Sequence, residues 1–163
     1  MRRDHPEAVA ILLGILSALL LLGALGFQYF GRLPPCEMCL WQRWPHLAAA
    51  VLGIIGGWAV SRTARRRPLA LPLAFLTALL VAISGLIAAY HAGVEWHWLP
   101  GPSRCTGSAF RLSGTLDLNA PVVMCDHAAW RLFGLSLAGF NAIISLGAAV
   151  IGFVLIYRSR RAA

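Results

Sequence analysis

The sequence has no lysine: all fourteen basic residues are arginine, and only six acids oppose them. Charged residues make up 12% of the 163 positions, about half the share of an average soluble domain. A surface this poor in charge is not built for water, and a chain that is 59% hydrophobic points to lipid as its solvent. The net charge of +8 does not make the chain a nucleic-acid binder, because the arginines sit in short clusters between apolar runs rather than along one basic face. No internal repeat and no low-complexity segment is present, which excludes solenoids and tethering tails. Cysteine is sparse but even in number, four in all. In an oxidising compartment four cysteines allow three pairings, and the sequence alone does not choose between them.

What is abundant is long apolar sequence. Four runs are each long enough to cross a bilayer, for which about 20 residues suffice: about 9–30, 41–60, 69–90 and 132–157. The first follows Arg2 and Arg3 and continues through Phe27, Tyr29 and Phe30. It is therefore too long for the core of a signal peptide cleaved near Ala24-Leu25-Gly26. Gly53 and Gly57 in the second run make a small-xxx-small pair that would admit a neighbouring helix closely. The expected fold is an all-α integral membrane protein, a single four-helix bundle over 1–163 with loops at about 31–40 and 91–131.

Four crossings put both termini and the connection at Arg62–Arg67 on one side. That side carries Arg2, Arg3, Arg62, Arg65, Arg66, Arg67, Arg158, Arg160 and Arg161; the other carries Arg32, Arg43, Arg104, Arg111 and Arg131. Basic residues in short flanks mark the cytoplasmic face, so the termini are expected to be cytoplasmic and all four cysteines to face outward, where disulfides persist. Trp41, Trp44, Trp96, Trp98 and Trp130 suit the aromatic belt at a membrane surface.

The stretch PPCEMCLWQR, Pro34 to Arg43, carries the chemistry. Cys36 and Cys39 at positions i and i+3 of a first helical turn can meet the Cα spacing of a disulfide. Unpaired N–H groups at that helix end favour thiolate over thiol. A disulfide closing so small a loop adds little stability through chain entropy, so a working dithiol explains it better than a staple. Arg43, one turn after Cys39, would set a fixed positive charge on the same face. Pro45 either kinks this helix or marks its true start; the second case would weaken the facing argument.

In the long outer loop, Cys105 and Cys125 bracket a segment in which Ala109, Phe110, Leu112, Leu116 and Leu118 alternate loosely with polar residues, as in a stretch lying on the membrane surface. Read alone, this pair is most simply structural; beside an outward-facing dithiol it becomes a plausible relay. A four-cysteine zinc cage is disfavoured by the wide spacing of the second pair, and no metal is expected. His46, His91, His97 and His127 read as interfacial or solvated residues, with His91, at the mouth of the third run, best placed to hydrogen-bond a polar cofactor head. Glu37 and Asp126 each neighbour a cysteine and are read as local modulators or plain surface acids.

PPCEMCLWQRW, then YHAGVEWHWLPGP before Cys105, then CDHAAWRLFGLSLAGFN from Cys125, together resemble the DsbB family of disulfide bond formation proteins over nearly the whole chain. The resemblance implies a bacterial inner-membrane thiol:quinone oxidoreductase with two periplasmic loops of paired cysteines, Cys36–Cys39 and Cys105–Cys125. It would reoxidise a periplasmic DsbA-like thioredoxin-fold protein and pass the electrons to the membrane pool of ubiquinone or menaquinone. By position, Cys105 would form the mixed disulfide with the partner, Cys125 would attack Cys36, and Cys39 would become the thiolate facing the quinone. Arg43 and His91 would bind the quinone. Pro45 and the short stretch between Cys105 and Cys125 depart from many relatives. Two alternatives stand beside this reading: a quinone reductase resembling the vitamin K epoxide reductases, whose active pair usually lies near the last span, and a non-enzymatic membrane protein with structural disulfides.

Overall fold

The computed structural model describes residues 5–62, 68–106 and 123–161. Arg2, Arg3, Arg65, Arg66, Arg67 and Arg111 of the charge argument, and the surface segment at 109–118, lie outside the described residues.

Four long helices follow one another: α1 (Pro6–Tyr29), α2 (Glu37–Ser61), α3 (Ala70–Glu95) and α4 (Leu137–Arg161). Each is long and apolar enough to cross a membrane, and their exposed leucines, isoleucines and phenylalanines are the surface that lipid would solvate. The chain is thus an all-α, four-helix, multi-pass membrane protein. The second helix begins at Glu37, before the apolar run at about 41, because Cys36 caps it: its sulfur accepts the Cys39 backbone N–H at 3.2 Å. Pro34 and Pro35 hold the chain extended before that cap. The third continues past 90 to Glu95, carrying His91 inside the helix.

The fourth helix starts at Leu137 rather than about 132. Arg131–Leu132 (β1) and Leu135–Ser136 (β2) pair antiparallel instead, joined by a two-residue turn. Phe133 and Gly134 both have positive φ, 51° and 83°, the signature of the tight hairpin turn that matches strand twist. Ser136 then caps α4 by accepting the Gly139 N–H at 3.1 Å.

Pro45 lies within α2 and does not start it; the only intrahelical bond it forfeits is the one to the Trp41 carbonyl. Further on, Leu52–Gly56 forms one π turn. There the backbones of α1 and α2 nearly touch. A Cβ on Gly14 would lie 2.8 Å from the Ile54 nitrogen, and one on Gly53 would collide with the Ala10 carbonyl oxygen. A Cβ on Gly57 would strike Ile11 and come within 3.1 Å of the Glu7 carbonyl oxygen. The Gly53/Gly57 pair therefore serves close helix packing.

The core has two parts. Around the bundle's middle, Ala10, Leu13, Ala49, Ala74, Ala78, Val81 and Ala149 pack with small side chains, as expected where lipid removes the hydrophobic drive and backbone proximity takes over. At one end, Cys36, Met38, Val94, Cys105 and Cys125 form a second buried cluster. That end gathers the C-terminus of α1, the start of α2, the end of α3 and the hairpin leading into α4.

Candidate functional site

Cys105 and Cys125 are joined in a disulfide, with Cα atoms 5.2 Å apart, while Cys36 and Cys39 are thiols whose sulfurs lie 2.7 Å apart. The N-cap position of Cys36 directs its sulfur inward, where it is 4% exposed. The Cys36 thiol is driven well above the ordinary cysteine range, first because it shares a hydrogen bond with the Cys39 sulfur and second because it is buried. Proximity of the two pairs is the main arrangement that sequence could not give: three of the four sulfurs occupy one buried cluster, with Cys39 packed against it.

Beside the dithiol lies a cavity of about 390 Å³, within the usual range for small-molecule sites. Leu20, Ala24 and Phe27 of α1 form an apolar wall, and Cys36, Cys39, Arg43, His91 and Glu95 line it as well. Trp130 closes it, its ring 5.2 Å from Phe27 and 6.4 Å from Phe140. Arg43 does share the face of Cys39, since α2 runs unbroken through both residues. Its Nη1 donates to Gln28 Oε1 at 2.6 Å, which anchors the guanidinium, while its Nε is buried with no partner among the described residues. An unsatisfied N–H at a cavity wall is a donor awaiting an acceptor.

His91 is 2% exposed and faces the dithiol: its Nε2 lies 3.6 Å from Cys36 Sγ and 3.7 Å from Glu95 Oε1. His46 is not interfacial. It is 3% exposed and bonds Ser17 on α1 at 3.2 Å and Asn141 on α4 at 3.0 Å. His97 and His127 are exposed near the loop ends, away from these bonds. Glu37 is half-buried in the first turn of α2; Asp126 is mostly covered beside Cys125.

Sequence reasoning missed four polar residues of this end, Gln42, Ser84, Glu95 and Asn141. Gln42 Nε2 lies 2.9 Å from His91 Nδ1, and Asn141 Nδ2 donates to Gln42 Oε1 at 2.9 Å. Ser84 donates to the Gln42 carbonyl at 2.9 Å. Glu95 is 6% exposed and its Oε2 has no partner among the described residues. The available signal was a lone polar side chain inside an otherwise apolar run, which is expensive in lipid and usually functional.

The family model for disulfide bond formation protein DsbB matches residues 6–155. The chain belongs to the DsbB family. A protein of Polaromonas sp. (strain JS666 / ATCC BAA-500) described as "Disulfide bond formation protein B" is 26% identical over 163 residues, covering 96% of this chain and 94% of that one. "Uncharacterized protein RP370" of Rickettsia prowazekii (strain Madrid E) is 21% identical over 166 residues, covering 96% and 92%. No solved structure gives a significant match. Membership in the DsbB family assigns the chain a role in disulfide bond formation. It also removes the ground for the vitamin K epoxide reductase-like and purely structural alternatives.

Proposed function

We propose that this DsbB-family protein is a thiol:quinone oxidoreductase of the bacterial inner membrane, with cytoplasmic termini, which reoxidises a periplasmic DsbA-like thioredoxin-fold protein. The observation that carries the reading is the shared cavity: a vicinal dithiol, His91 and an orphaned Arg43 N–H face one apolar space between transmembrane helices. That combination suits a quinone, whose ring carbonyls need donors and whose tail needs an apolar wall. Arg43 Nε and His91 would hold the ring oxygens, and α1 would hold the tail. A bound quinone supplies an acceptor for two electrons and two protons.

The chain's own residues supply the rest. A partner thiolate attacks Cys105 and opens the Cys105–Cys125 disulfide. The freed Cys125 thiolate attacks Cys36 of an oxidised Cys36–Cys39 pair and displaces Cys39 as thiolate. The partner's second thiolate then attacks its own sulfur in the mixed disulfide and releases Cys105. Cys105 attacks Cys125 of the Cys125–Cys36 disulfide and releases Cys36, leaving the partner oxidised, Cys105–Cys125 restored and Cys36/Cys39 as the dithiol. Returning that dithiol to a disulfide releases two electrons and two protons, and Arg43 stabilises the negative charge that builds up beside Cys39. The burial of Cys36, Cys105 and Cys125 in one cluster supports exchange between the pairs, since thiolate and disulfide must come into contact.

Energetics give the direction of flow. A DsbA-type dithiol sits near about −120 mV, above glutathione-poised couples. Its regeneration therefore needs a stronger oxidant, and each ~30 mV of difference is worth about 1.4 kcal/mol for two electrons. In bacteria the DsbA–DsbB–quinone route keeps the periplasm oxidising kinetically, without a redox buffer. The test is quinone reduction by the purified protein given a reduced thioredoxin-fold substrate, with each cysteine replaced in turn. Loss of turnover in all four variants is expected; a Cys105→Ser protein that turned over normally with the protein substrate would refute the relay.

A further inference from the structure

The polar side chains buried behind the dithiol form a chain whose direction is fixed at one point. Gln42 Nε2 lies 3.2 Å from the Met38 carbonyl oxygen, which can only accept, so the amide NH2 of Gln42 must point there. The same NH2 faces His91 Nδ1 at 2.9 Å, which makes Nδ1 an acceptor and puts the proton of neutral His91 on Nε2. Gln42 Oε1 must then accept from Asn141 Nδ2 at 2.9 Å, which fixes the Asn141 amide in turn. Asn141 Oδ1 accepts from Ser145 at 2.7 Å and from His46 Nε2 at 3.0 Å, leaving His46 Nδ1 to accept from Ser17 at 3.2 Å. Every donor in the series Ser17, His46, Asn141, Gln42, His91 points the same way. The last donor, His91 Nε2–H, meets Cys36 Sγ at 3.6 Å.

We propose that Asn141 and Gln42 are positioning residues, which act through His91 to hold one N–H on the Cys36 sulfur. Hydrogen bonds aligned head to tail polarise one another, and a donor aimed at sulfur favours its anionic form. The effect is strongest when Cys36 is released as a thiolate, since its sulfur then carries charge with no proton to share with Cys39. The charged or titratable groups around Cys36 are Glu37, Cys39, Arg43 and, farther along, His46 from α2, His91 and Glu95 from α3, and Asp126, His127 and Arg131 from the segment leading into α4; α1 and α4 line the cavity with neutral side chains. Glu95 Oε1, 3.7 Å from the same Nε2, and the Cys125 backbone carbonyl, which also hydrogen-bonds the ring, compete for that proton. The arrangement also removes the imidazole lone pair that a metal would need, although Cys36, Cys39 and His91 bring donor atoms within 4.8 Å of one another.

The inference rests on Cys36 being a redox sulfur, yet its test uses neither quinone nor partner. Side-chain ¹⁵N spectra of histidine-labelled, reduced protein at mildly alkaline pH, assigned by loss of the His91 signal in His91→Leu, report the tautomer directly. The proton on Nε2 of His91 is expected; a proton on Nδ1 overturns the proposal, and this readout needs no variant to fold beyond the assignment control. The second measurement is the pH profile of Cys36 alkylation by iodoacetamide in a Cys39→Ala background, in which sulfur displaces iodide to form a thioether. Asn141→Leu is expected to raise the midpoint by about one pH unit, or about tenfold slower reaction below it. His91→Leu should do the same, and the double variant should show no further change, because both substitutions break one chain. An unchanged midpoint in Asn141→Leu, or additive shifts, overturns the proposal.

Discussion

At the scale of single residues, the site depends on how one proton and one charge are held near two sulfurs. The Cys36 thiol keeps its proton chiefly because Cys39 shares it, and burial adds to the effect. Cys39→Ala removes the larger cause, so the Cys36 midpoint should move down. Its alkylation near neutral pH should accelerate relative to wild-type reduced protein, as followed by mass spectrometry of quenched samples. Arg43 makes the complementary case. Its Nη1 is tied to Gln28, so the buried Nε is presented in a fixed direction, and a hydrogen bond from a charged donor is worth about 1.5–3 kcal/mol. Arg43→Leu should raise the KM for a soluble quinone by roughly tenfold or more while leaving thiol exchange between partner and Cys105 intact. Steady-state quinone kinetics and a partner-oxidation burst separate the two.

At the scale of elements, the dithiol is held by the way α2 is seated. Its N-terminus is capped by the reactive sulfur itself, and its middle is pressed against α1 at Gly14 and Gly53. Gly53→Ala would push a methyl group into the Ala10 carbonyl and the Gly14 backbone, an overpacking that costs about 1–3 kcal/mol. A lower unfolding temperature in detergent is expected. Gly23→Ala serves as the control, since a Cβ there meets nothing within 4 Å, and it should leave the transition unchanged or slightly raised. The hairpin before α4 has a comparable single point of failure. Gly134 sits at φ 83°, where an L side chain costs roughly 1–2 kcal/mol, so Gly134→Val should loosen the segment that carries Trp130 to the cavity, and tryptophan fluorescence should report it.

At the scale of the whole molecule, the hydropathy of the four runs and the paired cysteines were enough to read a four-helix membrane bundle, because lipid imposes helix length and self-satisfied backbones. The Cys39–Arg43 facing was legible too, as it depends only on helical spacing. What was hidden depends on the rotation of one helix against another. Gln42 and Asn141 are 99 residues apart, and His46 and Ser17 are 29 apart; nothing in either segment reveals that they meet. The hairpin at Arg131–Ser136 was missed for a different reason: Leu132, Phe133 and Leu135 look like the start of an apolar helix until the Phe133-Gly134 turn is considered.

The central claim is that the Cys36–Cys39 dithiol, in its cavity between helices, gives its electrons directly to a quinone. A protein lacking Cys105 and Cys125 isolates that step. Reduced Cys105→Ser/Cys125→Ser protein should be mixed with about one equivalent of quinone, as the two-electron stoichiometry requires, and its thiols counted by alkylation while quinone absorbance is followed. Quinone should be consumed one for one with closure of Cys36–Cys39. A dithiol that stays reduced, with quinone unconsumed in a folded protein, would contradict it.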